Sequence, residues 1–256
     1  MEAILKDPGG AVIGLDFDGT LAPIVPDPAS ARIHPEAPGV LAELGAHVAA
    51  VAIVTGRPAA TVLELGPGLA DVPGLVVLGH YGFERWEGGR ISAPPPPAGV
   101  PRAEAELPLL LSSLGLSDVT IEDKGRAVAV HTRRAADPEG ALAALREPLA
   151  RLAAEHDLVL EPGRMVLELR PPGMDKGQAL GLFLAERAAR SVMFVGDDLG
   201  DLAAFDAVAG SGLPGVTVCS GSAEVALLAE RADIVVDGPE GVVALLSELA
   251  SAVSRS

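Results

Sequence analysis

The sequence predicts an α/β protein whose parallel-sheet core is interrupted by a smaller α+β insert. Short, continuous apolar runs alternate with helix-like stretches over residues 11–90 and again after residue 176, which is typical of parallel strands covered on both faces. Two proline-rich breaks, at 93–98 and 170–173, bound a segment whose strands alternate in polarity. We therefore place the core at residues 1–95 and 172–256 and the insert at 96–171.

The core elements follow from local patterns. Apolar runs at 11–15, 48–54 and 74–79 predict buried strands, and the stretches 38–44 and 58–65 predict helices that begin at proline, a residue favoured at the first helical position. After the second break, the pattern predicts helix 176–190, strand 192–195, helix 199–208, strand 216–219, a short helix near 223–230, strand 234–236 and helix 239–250. Such alternation indicates a parallel α/β sheet.

The insert has a different sequence pattern from the core. Its pattern predicts strands at 119–122, 127–131, 158–161 and 165–169, and a helix over 140–156 that contains Pro148. The prolines of the first break, at 94–97, predict a stiff polyproline crossing into it.

Composition excludes several classes of protein. The 256 residues carry a net charge of −16, which disfavours nucleic acid because its phosphates attract basic surfaces. We find no apolar run long enough to span a membrane and no signal-peptide pattern, and the single cysteine, Cys219, excludes an internal disulfide. We expect a cytoplasmic globular protein in which a phosphorylated substrate must find a local cation.

Two aspartates end the first buried strand. Asp16 and Asp18 follow the run at 11–15, and residues two apart in an extended segment point to the same side. The carboxyl ends of parallel strands are where α/β proteins bind ligands, and Gly19 permits a sharp exit. The alternative is an Asx-turn that simply leaves the strand.

A second acidic group follows a later strand. Asp197, Asp198 and Asp201 come directly after the run at 192–195. Carboxylates from two strand ends make an oxygen site that suits Mg²⁺. The alternative is that one of these aspartates caps the following helix, and both can hold for different members of the group.

Two further polar residues are candidates for binding a phosphoryl group. Thr55 follows the strand at 48–54 and precedes Gly56 and Arg57; taken alone, it is more often a helix cap. Lys176 opens a predicted helix, where its charge opposes the helix dipole. A nearby carboxylate or a bound phosphate would stabilise it there; taken alone, it is more often solvated.

The order of these motifs resembles the haloacid-dehalogenase-like phosphatases over the whole α/β core. The segments DFDGTLAPI (16–24), VHTR (130–133), GRMVLELRP (163–171) and GDD (196–198) are similar, more narrowly, to trehalose-6-phosphate phosphatases. The resemblance implies a HAD-like Rossmannoid core whose insert is a type-two cap. Two departures are Gly200 and Leu202, which replace Thr and Glu, and Tyr81, which replaces His.

The resemblance also implies the chemistry. Asp16 would attack phosphorus and form an aspartyl-phosphate, Asp18 would act as general acid and base, and Thr55 and Lys176 would hold the phosphoryl oxygens. Mg²⁺ would be held by Asp16, the main-chain carbonyl of Asp18 and Asp197, with Asp198 and Asp201 in support. The expected substrate contacts are Gly56, Arg57, Arg133, Glu168 and Arg170.

Arg133, Glu168 and Arg170 also have an alternative interpretation, a cross-strand ion pair on an exposed sheet face.

The expected reaction is hydrolysis of trehalose 6-phosphate, with a trehalose-6-phosphate synthase as the pathway partner. The main rival is a phosphatase for another sugar phosphate, such as sucrose phosphate, glucosylglycerate phosphate or an aminocyclitol pseudo-disaccharide phosphate. A phospho-receiver signalling module also uses clustered aspartates with a Thr and a Lys, but it is about half this length and carries its phospho-acceptor on a later strand.

Overall fold

The chain divides into two compact units, the core unit (Met1–Ala93 with Asp175–Ser256) and the insert unit (Pro94–Met174). A computed structural model describes residues 1–95, 97–163, 165–173, 175–221 and 226–255. The predicted polyproline crossing includes Pro96, which lies outside the described residues. None of the described helices combines the length and the apolar character that crossing a membrane requires.

The first segment of the core unit contains the predicted βαβαβ pattern. Its helices and strands are α1 (Glu2–Lys6), β1 (Ala11–Leu15), α2 (Ala37–Gly45), β2 (Ala50–Val54), α3 (Ala59–Leu65), β3 (Leu75–Gly79), β4 (Glu84–Glu87) and β5 (Arg90–Ser92). The hairpin β4–β5 has no counterpart in the sequence prediction because charged residues flank Trp86. Gly88 and Gly89, with φ of 56° and 78°, form its turn, since only left-handed residues match the strand twist there.

The insert unit is an antiparallel sheet with two helices. Its elements are α4 (Gly99–Ser113), β6 (Thr120–Asp123), β7 (Val128–His131), α5 (Pro138–Glu155), β8 (Val159–Gly163) and β9 (Val166–Arg170). The strand order is β6-β7-β9-β8. The sequence did not locate α4, because Pro108 lies inside it and proline is costly within a helix. Its buried residues, Val100, Ala103, Leu107 and Leu111, nevertheless recur at helical spacing.

One face of the insert sheet builds an aliphatic core. Val128, Val130, Leu167 and Leu169 pack with residues of α4 and α5 in a single buried cluster. No Phe, Trp or Tyr occurs in the sequence of this unit. Because successive strand residues point to opposite faces, Glu168 lies on the other, polar face.

The second segment of the core unit resumes the α/β alternation. Its elements are α6 (Lys176–Glu186), β10 (Ser191–Gly196), α7 (Leu202–Gly210), β11 (Gly215–Gly221), α8 (Ala226–Arg231), β12 (Ile234–Asp237) and α9 (Gly238–Val253). Helix α6 ends earlier than predicted, and a 3₁₀ turn, Leu199–Asp201, precedes α7. Of the short helix predicted near 223–230, residues 223–225 lie outside the described residues.

The core sheet has eight strands in the order β12-β11-β10-β1-β2-β3-β4-β5. The strands from β12 to β3 are parallel, and the β4–β5 hairpin adds an antiparallel edge. Separate apolar clusters cover its two faces. The chain proceeds from β1 to one side and later from β10 to the other, so β1 lies at the switch point where ligands bind in such sheets. The α/β class with a smaller α+β insert is confirmed.

The aliphatic core of the insert unit predicts a matched pair of stability effects on α4. Leu107 is fully buried, whereas Leu109 is 78% exposed. Leu107→Ala should cost about 2–5 kcal/mol because it leaves a cavity, and Leu109→Ala should cost less than about 0.5 kcal/mol. Urea unfolding followed by circular dichroism measures both; equal losses would contradict this packing.

Candidate active site

The aspartates that follow β1 and β10 meet at the switch point. Asp16 comes directly after β1, Asp197 directly after β10, and Asp201 closes the 3₁₀ turn that follows. One oxygen from each of these three side chains lies within 4.8 Å of the others, and all three are buried. We call Asp16, Asp197 and Asp201 the acid cluster.

Lys176 is the cationic partner of the acid cluster. It is the first residue of α6 and is 5% exposed. Its Nζ lies 3.0 Å from Asp16 Oδ1 and donates a hydrogen bond to Asp201 Oδ1 at 2.8 Å. The interpretation of Lys176 as a solvated surface lysine is therefore wrong, and nearby carboxylates stabilise its charge.

Asp201 uses both carboxylate oxygens inside the fold. Oδ1 accepts from Lys176, and Oδ2 accepts from the backbone N–H groups of Asp197 at 3.0 Å and Asp198 at 3.2 Å. Asp198 caps the turn by accepting from the N–H of Gly200 at 2.8 Å. The helix-cap alternative thus applies to Asp198, while Asp201 fixes the backbone that carries Asp197.

Burial and mutual repulsion dominate the electrostatics of the acid cluster. Burial, reinforced by the neighbouring carboxylates, raises the pKa of Asp16 well above its usual range and that of Asp197 to about 8, although Lys176 opposes both shifts. Burial likewise raises the pKa of Asp201 to about 6. Burial alone would lower the pKa of Lys176. The attraction of the carboxylates of Asp16, Asp201 and Asp198 outweighs this effect, so the pKa of Lys176 is raised. The site therefore holds more negative charge than one lysine balances.

The turn after Asp16 is tight and is held by backbone hydrogen bonds. Gly19 has a φ of 75°, and a Cβ there would overlap the Asp197 carboxylate. The Gly19 N–H donates to the Ala22 carbonyl at 2.7 Å. Glycine is thus required at this position for both conformation and space.

Arg57 binds the second aspartate of the turn. Its Nε and Nη2 donate to Asp18 Oδ2 and Oδ1 at 2.6 and 2.7 Å, a bidentate pair. Nη2 also donates to the Pro28 carbonyl at 3.0 Å, and the guanidinium lies 5.8 Å from the centre of the Phe17 ring. The structure thus places Arg57 on Asp18; its predicted contact with substrate stays a prediction.

A strained loop supports the segment that carries Thr55. His80 and Tyr81 both have positive φ, 48° and 58°, and their N–H groups donate to the carbonyls of Arg57 at 3.0 Å and Thr55 at 2.9 Å. At Gly56, a Cβ would lie 2.7 Å from the Tyr81 hydroxyl. Strained residues of this kind cluster at functional sites. The sequence showed only a departure at Tyr81 and not this support.

Thr55 itself is buried at the end of β2, next to β1 in the sheet. Its hydroxyl oxygen accepts from the N–H of Arg57 at 3.2 Å. The helix-cap interpretation of Thr55 therefore describes only a local turn that ends before α3.

The polar face of the insert sheet carries paired charges. Buried Glu168 forms an ion pair with Lys124, and Arg170 donates to Glu161 on the neighbouring strand at 2.7 Å. Arg170 thus forms the cross-strand ion pair of the alternative interpretation, but the position is buried and not exposed as that interpretation expected. Arg133 lies in the turn after β7 and is partly exposed. Lys124 was missed from the sequence because it lies in a polar turn that resembles any solvated loop.

The architecture is a fold that solved structures share, among them a haloacid dehalogenase-like hydrolase from Bacteroides thetaiotaomicron, which superposes with a TM-score of 0.63 at 17% identity, over 93% of this chain and 98% of that one. The C-terminal domain of C. albicans trehalose-6-phosphate phosphatase superposes with a TM-score of 0.77 at 21% identity, over 96% of this chain and 94% of that one. At this identity the likeness establishes the fold.

The trehalose-phosphatase family model matches residues 14–227, and the chain belongs to that family. A probable trehalose-phosphate phosphatase from Sinorhizobium fredii is 34% identical over 81% of this chain and 77% of its own length. The trehalose-phosphate phosphatase of Mycobacterium avium is 37% identical over 79% of this chain but 52% of its own length. The chain thus spans about half the length of that mycobacterial relative. This chain is therefore a phosphoric monoester hydrolase.

The charge imbalance of the acid cluster predicts how stability depends on pH without metal. Because the pKa of Asp197 rises from 3.8 to about 8 on folding, the folded state holds a proton that the unfolded state has lost, and stability falls as pH rises from about 4 to about 8. At pH 8 in chelator, Asp197→Asn should raise stability by about 1 kcal/mol or more, roughly 2–4 °C in Tm.

Thermal unfolding across pH, with exposed Asp71→Asn as the control, measures this effect. A lower Tm for Asp197→Asn than for the unmodified protein at pH 8 would contradict the electrostatic account.

Proposed function

We propose that the protein is a Mg²⁺-dependent phosphatase that hydrolyses trehalose 6-phosphate to trehalose and phosphate through an aspartyl-phosphate. The observation that carries this proposal is the buried acid cluster with Lys176 at the switch point, in a chain of the trehalose-phosphatase family. The names of the relatives supply the substrate, and the acid cluster supplies the chemistry.

The acid cluster fits a divalent cation. Three buried carboxylates and one ammonium leave a formal charge of −2, and oxygen ligands are those Mg²⁺ prefers. Asp16, Asp197 and the main-chain carbonyl of Asp18 would hold the ion, because both oxygens of Asp201 already accept hydrogen bonds. When bound, the ion offsets the negative charge that would otherwise repel a phosphate.

In the first half-reaction, a carboxylate oxygen of Asp16 attacks phosphorus. The bond from phosphorus to the sugar oxygen breaks, its electron pair stays on that oxygen, and Asp18 supplies the proton. Lys176 and the Thr55 hydroxyl hold the other phosphoryl oxygens, so that the group is positioned in line for transfer.

In the second half-reaction, water attacks phosphorus and gives its proton to the Asp18 carboxylate. The bond between phosphorus and Asp16 breaks, and the electron pair returns to Asp16. In the structure, both carboxylate oxygens of Asp18 accept hydrogen bonds from Arg57. Asp18 must therefore exchange Arg57 for the sugar oxygen during the first step.

The insert unit would select the sugar. Glu168 Oε1 is buried and accepts no hydrogen bond from any residue that the structure describes, while its other oxygen pairs with Lys124. A buried polar atom of this kind normally has a partner, and a sugar hydroxyl is a suitable donor. Arg133, Arg170 and Gly56 remain further proposed substrate contacts.

Other sugar phosphates are the competing substrates, since Gly200, Leu202 and Tyr81 depart from the family pattern. Phosphate release should be measured with trehalose 6-phosphate, sucrose 6-phosphate, glucosylglycerate phosphate, an aminocyclitol pseudo-disaccharide phosphate, glucose 6-phosphate and an aryl phosphate. The proposal requires the highest kcat/KM with trehalose 6-phosphate. A higher kcat/KM with another disaccharide phosphate would show that the substrate is different but that the reaction is the one proposed.

The setting of the reaction is also part of the proposal. A phosphorylated disaccharide is supplied by a sugar-phosphate glycosyltransferase, so a trehalose-6-phosphate synthase is the expected pathway partner. Both steps would take place in the cytoplasm.

The proposed nucleophile predicts a complete loss of turnover. Asp16→Asn should lower phosphate release at saturating Mg²⁺ by about a thousandfold or more, since an amide replaces the attacking carboxylate. Unchanged circular dichroism would show an intact fold. Asp206→Asn, which alters an exposed aspartate on α7, should retain full activity. More than a few per cent residual activity in Asp16→Asn would exclude the covalent route.

The proposed sugar contact predicts a substrate-dependent loss. Glu168→Gln keeps the shape but weakens a charged hydrogen bond worth about 1.5–3 kcal/mol, so kcat/KM for trehalose 6-phosphate should fall about ten- to a hundred-fold. Turnover of the aryl phosphate should stay nearly constant. Glu147→Gln, in an exposed ion pair with Arg151 on α5, is the control. Equal losses on both substrates would make Glu168 structural.

A further inference from the structure

A buried serine on β11 reaches the turn that carries Asp18. The Ser220 hydroxyl donates to the carbonyl oxygen of Gly19 at 2.6 Å, and Ser220 is 1% exposed. Ser220 lies two strands away from β1, because the sheet order is β11-β10-β1. The turn therefore extends over the end of β10 to meet it.

The turn lies close to the residues at the end of β10. Gly196 ends β10 and is paired in register with Cys219, the residue before Ser220. A Cβ on Gly196 would overlap Asp201, just as one on Gly19 would overlap Asp197. Two glycines thus let the turn lie against the carboxylates before it reaches the serine.

Hydrogen bonds orient both peptide groups around Gly19, and the contact with Ser220 is one of them. The N–H of Gly19 donates to Ala22 at 2.7 Å; since N–H and C=O point in opposite directions across a trans peptide, the Asp18 carbonyl points away from Ala22. The next peptide, between Gly19 and Thr20, is held at its carbonyl by Ser220. Both peptide planes therefore have a defined orientation.

We propose that Ser220 is a positioning residue for the cation site, because it fixes the turn that presents the Asp18 carbonyl. The inference rests on the proposed function, in which that carbonyl and the carboxylates of Asp16 and Asp197 hold the ion. Ser220 touches no reacting atom; it acts through Gly19. Loss of a group that orients a metal ligand lowers metal affinity by about ten- to a hundred-fold.

The test is calorimetric titration of the protein with MgCl₂, which requires no turnover. Ser220→Ala removes the donor, and Ser220→Cys replaces it by a weak donor of similar size. Both should raise the Kd for Mg²⁺ by about tenfold or more. Ser191→Ala is the matched control, since Ser191 is also buried in the core sheet but its hydroxyl has no hydrogen-bond partner within the described residues. It should leave Kd unchanged.

The outcomes separate this inference from the proposed function. If the unmodified protein binds Mg²⁺ and either folded Ser220 variant binds it within twofold, the role of Ser220 is overturned while the cation remains. If Ser191→Ala weakens binding as much as Ser220→Ala, general loss of packing replaces positioning as the cause. If the unmodified protein binds no Mg²⁺, the proposed cation and the role of Ser220 are overturned together. Circular dichroism shows which variants fold, and Ser220→Cys decides the case if Ser220→Ala does not.

Discussion

The structure of the core unit depends on the crowding of negative charge around Asp16. Asp197 and Asp201 lie beside it, all three side chains are buried, and Lys176 provides the neighbouring ammonium. Repulsion between buried carboxylates is costly, so this arrangement must be held by the rest of the fold. The parallel strands β1 and β10 deliver two of the aspartates, α6 delivers the lysine, and the backbone hydrogen bonds to Asp201 fix the remaining carboxylate.

The turn between Asp16 and Ala22 is held by hydrogen bonds from both sides. Arg57, which follows β2, binds the Asp18 carboxylate, and Ser220, at the end of β11, binds the Gly19 carbonyl. The two contacts span four adjacent strands, so the position of the turn is defined by the sheet and not by the loop alone. An active-site group carried on a rigid scaffold needs less reorganisation during reaction.

Local sequence patterns predicted much of this arrangement because parallel strands end at a common edge. The apolar runs before Asp16 and Asp197 were sufficient to bring these residues together. The burial of Lys176 could not be predicted from its local sequence, since that burial depends on residues far away in the chain. The same limit applies to the Arg57–Asp18 pair, Ser220 and Lys124, each of which acquires its partner only by tertiary folding. The hairpin at Trp86 and helix α4 were missed because charges and a proline obscured their periodicity.

The all-aliphatic core of the insert unit has an optical consequence. Trp86 and Tyr81, the only tryptophan and tyrosine of the chain, belong to the core unit, and so does every phenylalanine. Intrinsic fluorescence and near-ultraviolet circular dichroism therefore originate from aromatic rings of the core unit, whereas the far-ultraviolet signal sums the helices of both units. A denaturation experiment on the unlabelled chain thus contains a built-in spectroscopic separation: coincident curves at the two wavelengths would mean that the units melt cooperatively, and divergent curves would resolve their individual stabilities.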